Sequence, residues 1–420
     1  MTATTAVRKQ IDFVSYSRQR WMGVTFLVLA YGIWRFAQTA IPGEVTKFVM
    51  TPGGAKAEFP DWIFTTQPFI YALAGIALFL GAYQLVKGFK HKTNAMLGLV
   101  AGLFIFSFLA WAASGGSLNF AGLLRSTFTR AVPIALGAFA AILSERAGVI
   151  NLAVEGMMLA GAMMGALIGS LTNLWVGLLA AILTGAALAW VHGVLSIKYK
   201  IDQIISGTTI LIFSTGMTSF ISARFMQQYQ ELNNPGIFPR IDIPILTEIP
   251  LIGPIFFSHN LFAYGVFVFL ILIHVGLFYT RWGLRLRSVG EHPKAADTLG
   301  IDVIKTRYMA VIMSGMMAGF AGGYFTLGSV GRFDEVMTAG KGFIGIAAMI
   351  FGNWSPIGSF GASLLFGFAD SLASKLAILG VGIPSEFLLM APYVATMIVL
   401  AGVVGRGHMP AANGQPYEKE

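Results

Sequence analysis

Apolar runs, most of them close to twenty residues long, alternate with short polar stretches along nearly the whole chain. They fall near 21–37, 68–86, 94–113, 126–143, 150–171, 174–196, 203–222, 261–280, 308–328, 336–352, 357–378 and 386–404. A bilayer takes roughly 20 mostly apolar residues per helix, so the pattern predicts about twelve membrane spans, with ends loose by several residues. The short alternating strands of a membrane barrel are not the pattern here. Gly352-Asn353-Trp354-Ser355-Pro356 combines two strong breakers and predicts a turn between two elements.

Composition strengthens this reading. Of 420 residues, 56% are hydrophobic and only 11% charged, too little charge to cover a soluble domain of that length. The fold class expected is an all-α polytopic membrane protein with about 10–12 transmembrane helices. The polar start, with Arg8, Lys9, Arg18 and Arg20, lacks a cleavage pattern and reads as the approach to a retained first helix.

Charge then gives orientation. Placing the N-terminus inside puts Lys87, Lys90, Lys92, Arg146, Lys198 and Lys200 on the inner side. The 281–307 loop, with six Lys/Arg against three acids, joins them; the outer loops 38–67 and 223–260 carry two Lys/Arg and three acids each. Positive-inside bias accounts for the net charge of +9 without nucleic acid as a partner.

Several chemistries drop out. No Cys is present, so disulfides, thiol catalysis and Cys-ligated zinc are excluded. His192 and His274 stand alone on apolar stretches, and no HExxH, GxSxG or paired carboxylate occurs, so neither a catalytic residue, a metal site nor a cofactor is expected. Gly340-Lys341-Gly342-Phe343-Ile344-Gly345 matches GxGxxG by letter but precedes a membrane helix rather than following a strand. Gly161, Gly165, Gly169 and Gly315, Gly319, Gly323 recur at four-residue spacing, the pattern that lets helix backbones approach closely in lipid.

Three stretches hold the polar residues most in need of explanation. Ser144–Ala162 reads SERAGVINLAVEGMMLAGA. Glu145 and Arg146 are expected as interfacial anchors in an inner turn. Asn151 and Glu155, four apart, are expected on one helical face, where an acid inside the membrane needs either a wet path or a buried partner. In the 281–307 loop, Pro293 can open a helix that runs through Ala295 and Ala296 and ends at Gly300. A short exposed helix of this kind, in a chain lacking the GxxxxGK[ST] phosphate loop, points to docking on a separate ATPase subunit. Finally, Glu155-Gly156 and Lys341-Gly342 each lead into a small-residue helix. If they are equivalent parts of two related halves, Glu155 and Lys341 pair near the middle of the molecule, and Asn151, Glu155, Lys341, Gly342 and Phe343 become candidates for a translocation path. Two other readings remain open: an ion-coupled transporter with Glu155, Asp202 and Asp370 as relay acids, and a membrane scaffold without transport.

The Ser144–Ala162 stretch closely resembles the signature of permease subunits of bacterial ABC importers for nucleosides and simple sugars. Residues 283–324, with Ala295-Ala296 and Gly300 spaced as in ABC permease docking loops, resemble the family's coupling segment; residues 340–358 resemble its late Gly-rich segment. The resemblance covers roughly 120–405 and implies a type II ABC importer permease fold. It implies residues 116–410 as the core, with Glu291, Pro293, Ala295, Ala296 and Gly300 at the ATPase. Residues 1–115 carry none of these motifs and read as an extension with about three spans. The implied partners are cytoplasmic ATP-binding subunits, a second permease subunit (the same chain or a sister), an extracytoplasmic substrate-binding protein and the lipid bilayer. The implied place is a bacterial inner membrane.

Overall fold

The computed structural model describes residues 3–53, 58–379, 390 and 408–419. The described residues form two compact units, one reaching to Leu123 and taking in 374–379, the other running Leu124–Ala373 and including 408–419.

In the first unit, α1 (Ala3–Thr39) packs with α2 (Thr66–Val86) and α3 (Thr93–Ala112). A small sheet, absent from the sequence reading, joins them: β1 (Val45–Val49) lies antiparallel to β2 (Trp62–Thr65) and parallel to β3 (Ser117–Asn119). Phe48 anchors it, ringed by Trp62, Phe64, Phe106 and Phe120 at centroid distances of 5.3–6.5 Å. The Thr46 hydroxyl bonds that of Thr66 at 2.7 Å and donates to the Ala110 carbonyl, so the buried polar groups of the strand ends are paired.

The second unit is built on α4 (Phe120–Glu145), α5 (Val154–Leu171), α6 (Leu174–Gly193) and α7 (Gln203–Ile221). After a loop carrying β4 (Ile241–Asp242), α8 (Ile252–Phe256) and β5 (Ser258–His259) come α9 (Leu261–Tyr279), α10 (Arg281–Glu291) and α11 (Pro293–Thr298). The chain continues through α12 (Val303–Gly323), α13 (Lys341–Phe351) and α14 (Pro356–Leu379). The α5, α6 and α12 helices cross at their glycines. A Cβ on Gly161 would stand 3.0 Å from Gly319 Cα, and one on Gly185 would stand 2.1 Å from the Gly315 carbonyl oxygen, so both glycine rows pack helix on helix.

Among the described residues, nine helices are long and apolar enough to cross a membrane: α2, α3, α4, α5, α6, α7, α9, α12 and α14. Three expected spans fare otherwise. Run 21–37 lies within α1, where Arg35 dilutes the apolar content. Run 336–352 yields only α13, whose 11 residues advance about 16 Å, near half of a ~30 Å hydrocarbon core. Run 386–404 lies outside the described residues apart from position 390. Of the expected turn at 352–356, residues 352–355 do separate two helices, α13 and α14, and Pro356 is the first residue of α14.

Candidate functional site

Helix α13 is a half-length helix whose far end is fixed. In the turn after it, Trp354 Nε1 donates to Glu145 Oε2 at 2.7 Å, and Arg146 Nε donates to the Trp354 carbonyl at 2.9 Å. Glu145 is only 5% exposed, so it is a buried acceptor and not the interfacial anchor expected from sequence. Burial also pushes the Arg146 guanidinium below its usual pKa. Running back from this turn, α13 lies against α4 through bare glycine: a Cβ on Gly345 would stand 2.9 Å from the Ala138 amide nitrogen. Its N-terminus therefore lies about half a bilayer in from the end of α4.

The chain reaches that N-terminus through the irregular segment 331–340, where Val336 and Ala339 both hold positive φ. Irregular backbone at membrane depth is tolerated only where protein or a wet cavity satisfies it, and here Glu155 does so. Its Oε1 accepts from the Thr338 hydroxyl at 2.6 Å and from Gly340 N at 2.9 Å, while Oε2 accepts from Gly342 N at 2.6 Å. A carboxylate at this position meets the orphan amides of a helix start and the positive end of its dipole. The cost of burying Glu155, itself 5% exposed, is offset by backbone and hydroxyl donors, with no partner cation among the described residues.

Lys341 does not pair with Glu155. Its ammonium lies 2.7 Å from Asp370 Oδ2, and the other oxygen of Asp370 takes Arg130 Nη1, also at 2.7 Å. Two cations from α4 and α13 thus share one acid on α14. Acid and base sit beside each other along the chain path, with Gly340 and Gly342 flanking Lys341, yet the side chains serve different partners. Asn151 also departs from expectation. It precedes α5, so it shares no helical face with Glu155; fully buried, it accepts from Ala153 N at 3.1 Å and donates to Ser314 at 3.0 Å. Gly342 is buried, and Phe343 is 41% exposed. The relay acids do not form one chain of carriers: Asp202 caps α7 through Ile204 N and Ile205 N, and Asp370 holds its cations.

Arg130 and Thr338 were missed from sequence. Arg130 was findable, since an ionisable residue within an apolar run is a functional candidate by default. Thr338 carries no such signal. His192 holds α6 to its neighbours as a packed histidine, its ring nitrogens 2.9 Å from Ser206 Oγ and the Ile150 carbonyl.

The basic loop forms the second part of the site. Helix α10 presents Leu286, Val289 and Gly290 inward, and α11 follows with Pro293 at its first turn and the His292 ring accepting from Ala295 N. Gly300, at φ +80°, ends it. Ala295 and Gly300 face outward with Leu299, which is 81% exposed; Ala296 packs inward against Val289 and Val303. The Glu291 carboxylate accepts from Ala411 N at 3.2 Å.

The family described as the branched-chain amino acid transport system, permease component, matches residues 123–404. The chain belongs to this permease family. It is a multi-pass membrane protein and a transport component. The permease is 40% identical over 308 residues to the guanosine ABC transporter permease protein NupQ of Bacillus subtilis, covering 71% of this chain and 96% of that one. It is 41% identical over 298 residues to the nucleoside ABC transporter permease protein NupC of Lactococcus lactis, covering 68% and 93%. A putative glucose ABC transporter permease protein of Haloferax volcanii, TsgC13, is 34% identical over 328 residues, covering 71% and 98%. No solved structure matches the chain.

Proposed function

We propose that this permease imports a nucleoside, or failing that a simple sugar, across a bacterial inner membrane with its N-terminus inside, in a type II ABC importer fold. Separate cytoplasmic subunits bind and hydrolyse ATP and engage α10–α11 through Glu291, Pro293, Ala295, Ala296 and Gly300. A second permease subunit completes the path, and an extracytoplasmic binding protein delivers the substrate. Within the core, 116–410, Lys341 and Phe343 border the path at the start of α13, Glu155 and Gly342 hold that start in place, and Asn151 ties the lead-in to α5 to Ser314 beside it. Residues 1–115 stand outside the path as an extension.

The observation that carries this reading is α11 itself: a six-residue helix with an exposed apolar tip at Leu299, set in a basic loop. A short helix with small residues facing outward is shaped to enter a groove on a partner. The names of NupQ and NupC favour nucleosides over sugars. The test is uptake into proteoliposomes holding the permease, its ATPase partner and its binding protein. ATP-dependent, vanadate-sensitive accumulation of a labelled nucleoside, competed by other nucleosides and not by glucose, is the expected result. Uptake driven by a proton or sodium gradient without ATP would overturn it.

A further inference from the structure

Segments outside helices and strands are commonly exposed and loosely held. Residues 408–419 are tied down repeatedly. Asn413, 8% exposed, donates to Glu145 Oε2 at 3.0 Å, the same oxygen that accepts Trp354 Nε1. Two residues on, the Gln415 carbonyl accepts from Arg307 Nη1 at 2.9 Å, at the base of α12. Arg307 is 2% exposed, so this bond partners a buried guanidinium.

Between and around these anchors the segment bonds main chain to main chain. Ala412 N donates to the Gly290 carbonyl at 2.9 Å, fastening the end of α10. Gly414 N donates to the Gly148 carbonyl at 3.3 Å, fastening the turn after α4. The packing leaves no slack: a Cβ on Gly148 would stand 3.0 Å from Arg307 Nη2 and 3.1 Å from the Ala412 carbonyl oxygen. Past this, Tyr417 packs on the Val289, Ala296 and Val303 cluster beneath α11.

Helix α11 has little else to hold it. Six residues are too few for a helix to persist on its own, and Ala296 is its one buried side chain. We propose that residues 408–419 are a strap that fixes the α10–α11 loop in the geometry an ATPase subunit engages, with Asn413 and Tyr417 as positioning residues for coupling. The proposal rests on the docking reading of α11. The strap meets α13 only at its far end, where His408 N donates to Asn353 Oδ1 at 2.8 Å and Asn413 shares Glu145 with Trp354, so exchange at 293–299 is the readout that isolates its action on the α10–α11 loop.

The test uses the complete transporter in proteoliposomes and compares the full chain with one ending at Met409 and with an Asn413→Ala, Tyr417→Ala variant. ATP hydrolysed per substrate imported is the main readout, with hydrogen exchange of the 293–299 amides beside it. The strap predicts that both variants raise the ATP-to-substrate ratio roughly tenfold, within the usual range of intersite coupling, with basal ATP hydrolysis unchanged and faster exchange across 293–299. Should the shortened chain fail to insert, the double variant decides alone. A full chain that couples while the double variant couples equally well, with unchanged exchange at 293–299, overturns the strap and leaves the docking reading standing. A full chain whose ATP hydrolysis is indifferent to substrate overturns both.

Discussion

Glu155 and Gly342 meet at the start of α13, where Oε2 accepts the glycine amide at 2.6 Å and no side chain fits between them. A Cβ on Gly342 would stand 2.7 Å from Glu155 Cα. One close approach therefore explains the glycine at the helix start and supplies one of the three donors that satisfy the buried acid. Gly342→Ala should push α13 away from α5, a misfit costing about 1–3 kcal/mol, with transport falling accordingly. Thermal unfolding of the purified permease alongside uptake checks this; an alanine variant as stable and active as the parent would count against the tight fit.

Removing the carboxylate should be worse. Glu155→Ala leaves the Thr338 hydroxyl and the amides of Gly340 and Gly342 without their acceptor. Each unpaired buried donor costs about 1–3 kcal/mol, so about 3 kcal/mol or more is expected in all. Glu155→Gln keeps one acceptor oxygen and should lose less. Equal loss in the two variants, measured by unfolding in detergent, would mean that charge and not hydrogen bonding holds the helix start.

Asp370 is the counter-charge for two cations. Asp370→Asn should destabilise by about 1–2 kcal/mol, less than a fully buried pair because Arg130 and Lys341 are partly exposed. Adding Lys341→Met removes the excess cation and should restore part of the loss. A double-mutant cycle showing no interaction between the two changes would sever Lys341 from this cluster.

Gly300 tests the dock. Nothing lies within 4 Å of a Cβ built there, so Gly300→Leu meets only the left-handed backbone strain of about 1–2 kcal/mol. The variant should insert and fold, yet ATP hydrolysis should cease to track uptake. Normal coupling in that variant removes the docking role from α11.

The spans and the α11 helix were legible in the sequence because their signals are local. Apolar length marks a span, and Pro293 with Gly300 marks both ends of a helix within eight residues. The start of α13 was not legible, because hydropathy runs straight through 336–352 and carries no sign that 331–340 enters the membrane as irregular chain. Nor could spacing show that Asn151 lies before the helix it was expected to ride. The Lys341 partner was missed for a related reason. Lys341 and Asp370 are 29 positions apart and Arg130 and Asp370 are 240 apart, and only packing decides such pairs. Glu145 looked like a surface anchor because its partners, Trp354 and Asn413, come from distant turns.

Phe343, exposed at the start of α13, gives the most direct test of the proposal that this start borders the translocation path. The chain has no cysteine, so Phe343→Cys introduces a single thiol. Labelling it in the assembled transporter with a charged, water-soluble methanethiosulfonate, with and without transported nucleoside, tests the claim. Rapid modification that substrate slows is the expected result. A thiol that resists the charged reagent and reacts only with a lipid-soluble one would place Phe343 against the bilayer and contradict it.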